Sequence, residues 1–441
     1  MDKFRKLGIS EEIIKAIEEH KFTQPSEIQE KAIPLVLQGK DVIGGSATGS
    51  GKTLVFGAAI IQNIVPKKGV QALILEPTRE LAEQVSKALQ HFSKYKPLKI
   101  VSIYGGVSIN PQFGDLETAD VVVGTPGRLL DHLERDTLKS DFIKILVLDE
   151  ADRMLDMGFI DDVEKIIRCI PKKRQTLLFS ATIDGNISYL SRKYMINPVE
   201  IEAEQYVDAS HLHQIYYEVE QHVKFSLLVH LLKQEDAKLV MVFCNTRRNA
   251  DFVSKNLHFA GVDAIAIHGG FSQEKRSRTM SQFSSQKTFV LVCTDIAARG
   301  LDIKGISHVY NYDIPKDDKD YIHRVGRTAR AGKEGKAISL LSQRDFDSFR
   351  KILRNADLEL KQEPTPKFER AQLRWFEEPK ERGFGKGFQN RGFHGHSREG
   401  RGNFRDRDDR GGRDGRQHRG DHRERREFSG REHSSSHRRS Y

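Results

Sequence analysis

The chain has 441 residues, with 72 Lys and Arg against 62 Asp and Glu for a net charge of +10. Its only cysteines are Cys169, Cys244 and Cys293, too far apart for a paired CxxC metal framework and too few for a secreted disulfide scaffold. No apolar run approaches the roughly 18–20 residues of a membrane span, and the charged start has no signal-peptide core, so a reducing cytoplasmic setting is expected. At about 150 residues per domain, the length predicts two or three domains with cores of their own.

A helix is expected after Ser10, a suitable N-cap, because Glu11 and Glu12 favour the helix dipole and Ile13, Ile14 and Ile17 recur at helical spacing. Strands are expected at Asp41–Gly44, Ala72–Leu75, Ile100–Tyr104, Asp120–Val123, Ile143–Leu148 and Thr176–Phe179. These runs are apolar throughout rather than alternating, which suits parallel strands covered on both faces. Helical stretches such as Arg79–Phe92 and Asp161–Ile170 separate them, so the pattern predicts βαβ units and a doubly wound α/β sheet. A polar stretch near residues 203–212 interrupts the alternation. It resumes with strands expected at Gln214–Val219, Leu239–Phe243, Ala264–Ile267, Phe289–Cys293, His308–Tyr312 and Ala337–Leu341.

The sharpest local signal is Ser46-Ala47-Thr48-Gly49-Ser50-Gly51-Lys52-Thr53, lying between a short apolar strand and a helix. That is the context of a phosphate-binding loop, with Ser46 where the strict pattern has Gly. Backbone N–H groups of such a loop converge on phosphate oxygens at the positive end of the helix. Lys52 would reach the β- and γ-phosphates, and Thr53 would ligate Mg²⁺. The second signal is Asp149-Glu150-Ala151-Asp152, directly after the buried-strand run Ile143–Leu148. A carboxylate there sits at the ligand edge of a parallel sheet. Asp149 would hold Mg²⁺ through water, and Glu150 would orient or deprotonate the attacking water. Acidic pairs also serve as plain N-caps; the preceding phosphate loop favours catalysis.

The tetrapeptide 149–152 names the family that the chain resembles, the DEAD-box RNA helicases of helicase superfamily two. The resemblance covers about residues 4–355. Phe22, Pro25, Ser26 and Gln29 resemble the adenine-reading Q motif, with Lys21 in place of the usual Gly and Phe4 as the upstream aromatic. Pro77–Ala82, Gly105-Gly106 and Thr125–Arg128 resemble RNA-contact motifs. Ser180-Ala181-Thr182 resembles the motif that couples hydrolysis to unwinding. In the second half, Val242–Thr246, Gln273–Arg276, Thr294-Asp295 with Ala298–Asp302, and His323–Arg330 complete the set in the right order.

The resemblance implies two tandem RecA-like domains. The expected layout is 1–203 for the ATP-binding domain, 204–212 for a linker, 213–365 for the second domain, 366–379 for a connecting segment and 380–441 for a tail. It implies ATP contacts at Phe4, Phe22, Gln29, Ala47, Thr48, Gly49, Ser50, Gly51, Lys52, Thr53, Gly300 and Asp302, with Thr53 and Asp149 at the metal. RNA contacts are expected at Arg79, Gly106, Thr125, Arg128 and Thr294, and coupling at Ser180, Thr182 and His323, the last also readable as a structural histidine. Lys52, Asp149, Glu150, Arg327 and Arg330 form the expected catalytic set. Arg327 and Arg330 stand three apart, on one helical face, and suit arginine fingers supplied by the second domain. Arg247 and Arg248 read equally as RNA contacts or as an exposed basic pair.

The positive charge is uneven. Lys380–Tyr441 carries 18 Lys and Arg against 10 Asp and Glu, which leaves the rest of the chain at +2. Twelve glycines, five phenylalanines, one tyrosine and no aliphatic side chain beyond glycine's hydrogen cannot bury enough surface to offset chain entropy, so this segment reads as a disordered basic tail. Its Arg-Gly-Phe runs suit a salt-sensitive RNA tether, and a solvating tail is the plainer reading. Phe368, Leu373 and Trp375, ahead of it, suggest a segment that packs back on the second domain.

The function expected is ATP-dependent RNA unwinding and ribonucleoprotein remodelling by a monomer, with ATP and Mg²⁺ as cofactors and no membrane partner. A non-unwinding ATP-gated RNA clamp or RNA chaperone on the same fold is the alternative. A DNA translocase, a binding-only protein and a small-molecule kinase rank lower.

Overall fold

The computed structural model describes residues 1–19, 22–45, 50–183, 185–202, 211–235, 237–298, 303, 305–329, 334–355 and 360–375. The tail expected at 380–441 and most of the linker expected at 204–212 lie outside them. Met1–Glu377 form one compact unit.

Among the described residues the unit is built on two seven-stranded sheets. The first comprises β1 (Val42–Gly45), β2 (Ala72–Leu75), β3 (Ile100–Ile103), β4 (Val121–Gly124), β5 (Ile145–Leu148), β6 (Gln175–Ser180) and β7 (Val199–Glu202). The second comprises β8 (Leu212–Glu218), β9 (Leu239–Phe243), β10 (Ala264–Ile267), β11 (Val290–Cys293), β12 (Ile306–Asn311), β13 (Gly335–Leu341) and β14 (Lys361–Gln362). Their spatial orders are β3-β4-β2-β5-β6-β1-β7 and β10-β11-β9-β12-β13-β8-β14, the same topology used twice. Strand pairings such as β2 with β5 and β9 with β12 are parallel. All twelve expected strands are present. The two that the sequence did not announce, β7 and β14, are the outermost strands beside β1 and β8.

The apolar strand runs are buried because helices cover both faces; β2, β4 and β5 are buried at every position. On one face of the first sheet, the helix Glu11–Glu19 seats Ile13, Ile14 and Ile17 in the core, each fully buried. Burial of one such side chain contributes about 1.5–3 kcal/mol. Phe4 joins this cluster at 1 % exposure.

The two halves start alike. In each, a helix follows the first strand and opens on a buried lysine: Lys52 at the head of Lys52–Asn63, and Lys224 at the head of Lys224–Gln234. Lys224 is fully buried and its Nζ meets Asp345 Oδ2 at 2.8 Å. Burial works against the charge of Asp345, but Lys224 and the Ser342 hydroxyl outweigh it and hold the carboxyl below its ordinary range. A depressed carboxyl adds stability that is present above its unfolded pKa and is lost as pH falls through the folded one. Asp345→Asn strands a buried cation and is expected to cost about 3–5 kcal/mol. Lys224→Met removes the charge that holds Asp345 ionised, but Asp345 keeps its two bonds from Ser342 and an exposed edge, so a smaller loss than for Asp345→Asn is expected. Thermal unfolding of the full chain near pH 7 checks this. Equal losses from the two substitutions would remove the stranded cation as the cause.

Candidate functional site

The first cluster forms where β1, β2 and β5 end. Gly51 caps the helix Lys52–Asn63 with φ of +89°, a left-handed conformation that glycine adopts without strain. A Cβ there would lie 2.3 Å from Gln29 Nε2. The close approach has a use. Gln29 Nε2 donates to the Gly51 carbonyl at 2.9 Å and Ser26 Oγ donates to the Ser50 carbonyl at 2.7 Å. Gln29 Oε1 in turn accepts from the Ser26 N–H at 3.0 Å. The segment expected to read adenine therefore also holds Ser50 and Gly51, the last residues before the helix, and both ends of the Gln29 amide are engaged, one by Gly51 and one by Ser26. Phe22, the neighbouring aromatic, is 42 % exposed. Phe4 is not a ligand face here. It is the buried aromatic of the short helix Asp2–Lys6, and its ring is spent on the core beside Ile13 and Ile17. Ala47, Thr48, Gly49, Gly300, Asp302 and Arg330 lie outside the described residues.

Lys52 Nζ meets Asp149 Oδ1 at 2.8 Å, with both side chains under 10 % exposed. Burial opposes the lysine charge, but Asp149 and Glu150 outweigh it and raise its pKa, so Lys52 stays protonated. Asp149 Oδ1 also accepts the Glu150 N–H at 2.8 Å. Glu150 caps the next helix, Ala151–Asp156, with φ 48° and ψ 48°. A left-handed glutamate costs energy and persists only where its surroundings enforce it. Here Arg153 does so, donating to Glu150 Oε2 with both side chains 3 % exposed. Thr53 heads the same cluster from the first turn after Lys52 and is half-buried. Nearby, Ser180 Oγ donates to the Thr182 carbonyl at 2.6 Å, while Thr182 Oγ1 and both Asp152 carboxylate oxygens are buried without a hydrogen-bond partner.

The second cluster lines a cavity of about 520 Å³ between the halves, walled by Arg79, Thr125 and Arg128 on one side and Gln273, Arg276 and Ile296 on the other. Arg79 rests on Gly106, where a Cβ would lie 2.0 Å from Nη1. Arg128 Nη1 donates to Gln112 Oε1 at 2.9 Å and Nη2 to the Val107 carbonyl at 3.1 Å. Gln112 Oε1 also pairs with His132 Nε2 at 3.0 Å, and His132 Nδ1 with Thr137 Oγ1 at 2.8 Å. Burial, then the Arg128 charge, push the His132 pKa down, so this chain of bonds is neutral around one cation. Thr294 follows β11 two residues before Ile296 and is 8 % exposed. Across the cavity Arg276 Nε donates to Glu80 Oε1 at 2.7 Å, with exposures of 10 % and 12 %.

The comparisons with known proteins identify the family to which a chain with these two clusters belongs. Residues 26–190 match the DEAD/DEAH box helicase family and residues 223–332 the helicase conserved C-terminal domain. The chain belongs to the DEAD/DEAH box helicase family. Over 354 residues it is 47 % identical to a protein of Listeria monocytogenes named ATP-dependent RNA helicase CshA, covering 79 % of this chain and 68 % of that one. Over 375 residues it is 43 % identical to the DEAD-box ATP-dependent RNA helicase CshA of Geobacillus kaustophilus, covering 84 % and 80 %. The structure of S. cerevisiae Dbp5 bound to RNA and ADP BeF3 superposes with a TM-score of 0.76 at 34 % identity, covering 83 % of this chain and 96 % of that one. Two tandem RecA-like domains are thereby the fold of this helicase-family chain.

Two residues of this DEAD/DEAH box helicase carry weight that the sequence reading did not assign them. Glu76 follows β2, is fully buried, and neither of its carboxyl oxygens has a hydrogen-bond partner. Burial, then the charges of Asp149 and Glu150, push its pKa well above the usual carboxylate range. Arg324 is 1 % exposed and knits the second half together. It donates to Asp295 through Nε at 2.6 Å and Nη2 at 2.7 Å, to the Asp313 carbonyl at 2.5 Å and to Asn245 Oδ1 at 2.8 Å. The helix Asp318–Val325 that holds it also carries His323, which is half-buried, and leads directly to Arg327, which is 3 % exposed. A single buried guanidinium thus anchors the element that bears two expected functional residues. In the sequence Arg324 is marked only by its place inside the His323–Arg330 motif, which gives it no role of its own.

Proposed function

We propose that this protein is an ATP-dependent RNA helicase that opens short duplexes locally by closing its two halves on ATP and one RNA strand. The observation that carries the reading is the Lys52–Asp149 ion pair at the ligand edge of β1 and β5. ATP arrival lets Lys52 exchange Asp149 for phosphate oxygens, which frees a buried carboxylate. Three carboxyls, Glu76, Asp149 and Glu150, crowd one lysine and one arginine there, and orphaned oxygens remain on Glu76. Hard oxygen donors in excess suit a small divalent cation. Thr53 and Asp149 would hold Mg²⁺, which would neutralise phosphate charge. Among the described residues no group of three or more His, Cys, Asp or Glu could hold a metal by itself, so phosphates and water would supply the remaining ligands.

Glu150, turned inward by its left-handed backbone and steadied by Arg153, orients the attacking water. Arg327 supplies positive charge from the second half, and His323 and Thr182 relay closure. Phe22 and Gln29 flank the base. RNA lies in the interdomain cavity, where Arg79, Arg128, Thr125, Gly106 and Thr294 meet its backbone. Contacts to backbone position a strand without choosing its sequence. Domain boundaries near 203, 212, 365 and 379, a monomeric state and a cytoplasmic location belong to the same reading. Among the described residues no helix is long and apolar enough to cross a membrane.

RNA-stimulated ATP hydrolysis measured beside strand displacement tests the proposal. Stimulation without displacement would leave the clamp alternative, and no stimulation by RNA would sink both. The Arg276–Glu80 bridge makes a separate prediction. If it helps to hold the closed state, a cycle of Glu80→Ala, Arg276→Ala and the double variant will show a coupling of about 1–3 kcal/mol in the RNA concentration for half-maximal ATPase. Additive effects would mean that each residue acts alone.

A further inference from the structure

Residues 360–375 strap the second half. β14 adds to β8, the Thr365 hydroxyl donates to the Glu218 carbonyl at 2.8 Å, and the Ala371 N–H donates to Ser226 Oγ at 3.0 Å. Phe368 and Ala371 pack on the core. The strap ends in a clamp. Fully buried Asn256 accepts from the Arg374 N–H at 2.8 Å and donates to the Arg374 carbonyl at 3.1 Å. This amide pairing fixes where the next residue stands. That residue is Trp375, the only tryptophan of the chain, and it is 84 % exposed.

A large aromatic held in place yet left in water is not explained by the core. Its one described ring neighbour is Phe252, at 5.3 Å between centroids. Phe252, half-buried at the edge of the core, lies on the helix Arg247–Phe259 in register with the exposed Arg248, Lys255 and Phe259 at helical spacing. Arg374 adds its guanidinium 3.1 Å from the centre of the Phe259 ring. The face therefore interleaves cations and aromatic rings over about 16 Å, at 1.5 Å per residue. Its head is continuous with the interdomain cavity, because Arg247 packs against Gly269, which lines that cavity, and Gly270.

We infer that this strip is an accessory path for single-stranded RNA leaving the cleft, with a base stacked on Trp375. The inference rests on the RNA-helicase reading above. Aromatic platforms interleaved with Arg and Lys recognise unpaired strands because every base has a π-face and every nucleotide a phosphate. The strip has room for about four stacked nucleotides at roughly 3.4 Å each. It would raise affinity for strands long enough to cover both cleft and strip, without sequence choice.

The lone tryptophan reports directly. In the full chain, an oligouridylate of about 20 nucleotides is expected to quench its emission saturably, and one of about 6 nucleotides much less. Trp375→Ala is expected to weaken binding of the long strand by about 5–100-fold, the worth of one stacked base, and Trp375→Phe to recover most of it. ATPase stimulated by the short strand should not change in either variant, since Trp375 stands outside the cleft. Unchanged emission at saturating long RNA, with equal affinity for Trp375→Ala, overturns the inference. So does emission that shifts with protein concentration alone, which would assign the patch to a second copy of the chain. If no RNA of either length stimulates the unmodified protein, the helicase reading itself has failed; if the short strand stimulates but Trp375 proves silent, only the strip has.

Discussion

Arg327→Ala is expected to lower RNA-stimulated ATP turnover by about 10³–10⁵-fold, the worth of an arginine finger in comparable phosphoryl transfers. The first half holds Lys52 and Arg153 as buried cations of the site, but Arg153 is spent on Glu150. Charge developing on the transferred phosphoryl group would therefore need a further cation, and on the proposed reading Arg327, just past the helix that Arg324 anchors, would supply it from the other half. The substitution must be separated from collapse of that helix. Arg324 makes the anchoring bonds and remains intact, but Arg327 is itself 3 % exposed, so some loss of thermal stability is expected and turnover is compared at a temperature where both proteins remain folded. ATP affinity should change little, because a finger acts mainly in the transition state. A variant with normal turnover, or one that has lost ATP binding in proportion, would remove Arg327 from this role.

Glu150→Gln is expected to reduce turnover by about 10²–10⁴-fold while ATP and RNA binding persist. Glutamine keeps the size of the side chain and can still accept from Arg153, but it cannot take a proton from water. The left-handed backbone at 150 is equally strained in both proteins, so conformation is not the variable. Stability is. Arg153 is 2 % exposed and loses its counter-charge, so some loss of thermal stability should accompany the kinetic one. A Glu150→Gln variant with full ATPase would assign the water to another group. Closure without hydrolysis should also leave RNA bound for longer, which release rates with ATP present would show.

Much of this site is legible in the amino-acid sequence. Lys52, Asp149 and Glu150 stand out because a phosphate loop and a strand-end carboxylate must occupy fixed places in a parallel sheet. Arg79, Thr125 and Arg128 are legible only through resemblance, yet they wall one cavity. Phe4, expected at the nucleotide, belongs to the core instead. An isolated aromatic on a short amphipathic helix looks the same in sequence whether it stacks on a base or fills a core, and only packing against Ile13 and Ile17 decides it. Glu76 is invisible for a related reason. A glutamate at a strand end reads as a solvated cap until the neighbouring strands bury it.

The two βαβ series, twelve of the fourteen strands and the order of the chemistry along them follow from the chain's own residues. Those features are local. An apolar run must be covered, a glycine-rich turn must follow its strand, and each can be judged from a few neighbours. β7 and β14 are settled only in three dimensions, because they have weak apolar patterns and exist where β1 and β8 offer open edges. Tertiary packing alone brings Arg276 to Glu80, 196 residues away in the chain, and Asn256 to Arg374, 118 residues away. Such pairs depend on where whole elements come to rest, and short-range periodicity carries no record of that. The strap, the exposed Trp375 and the cavity between the halves are all consequences of contacts of this long-range kind.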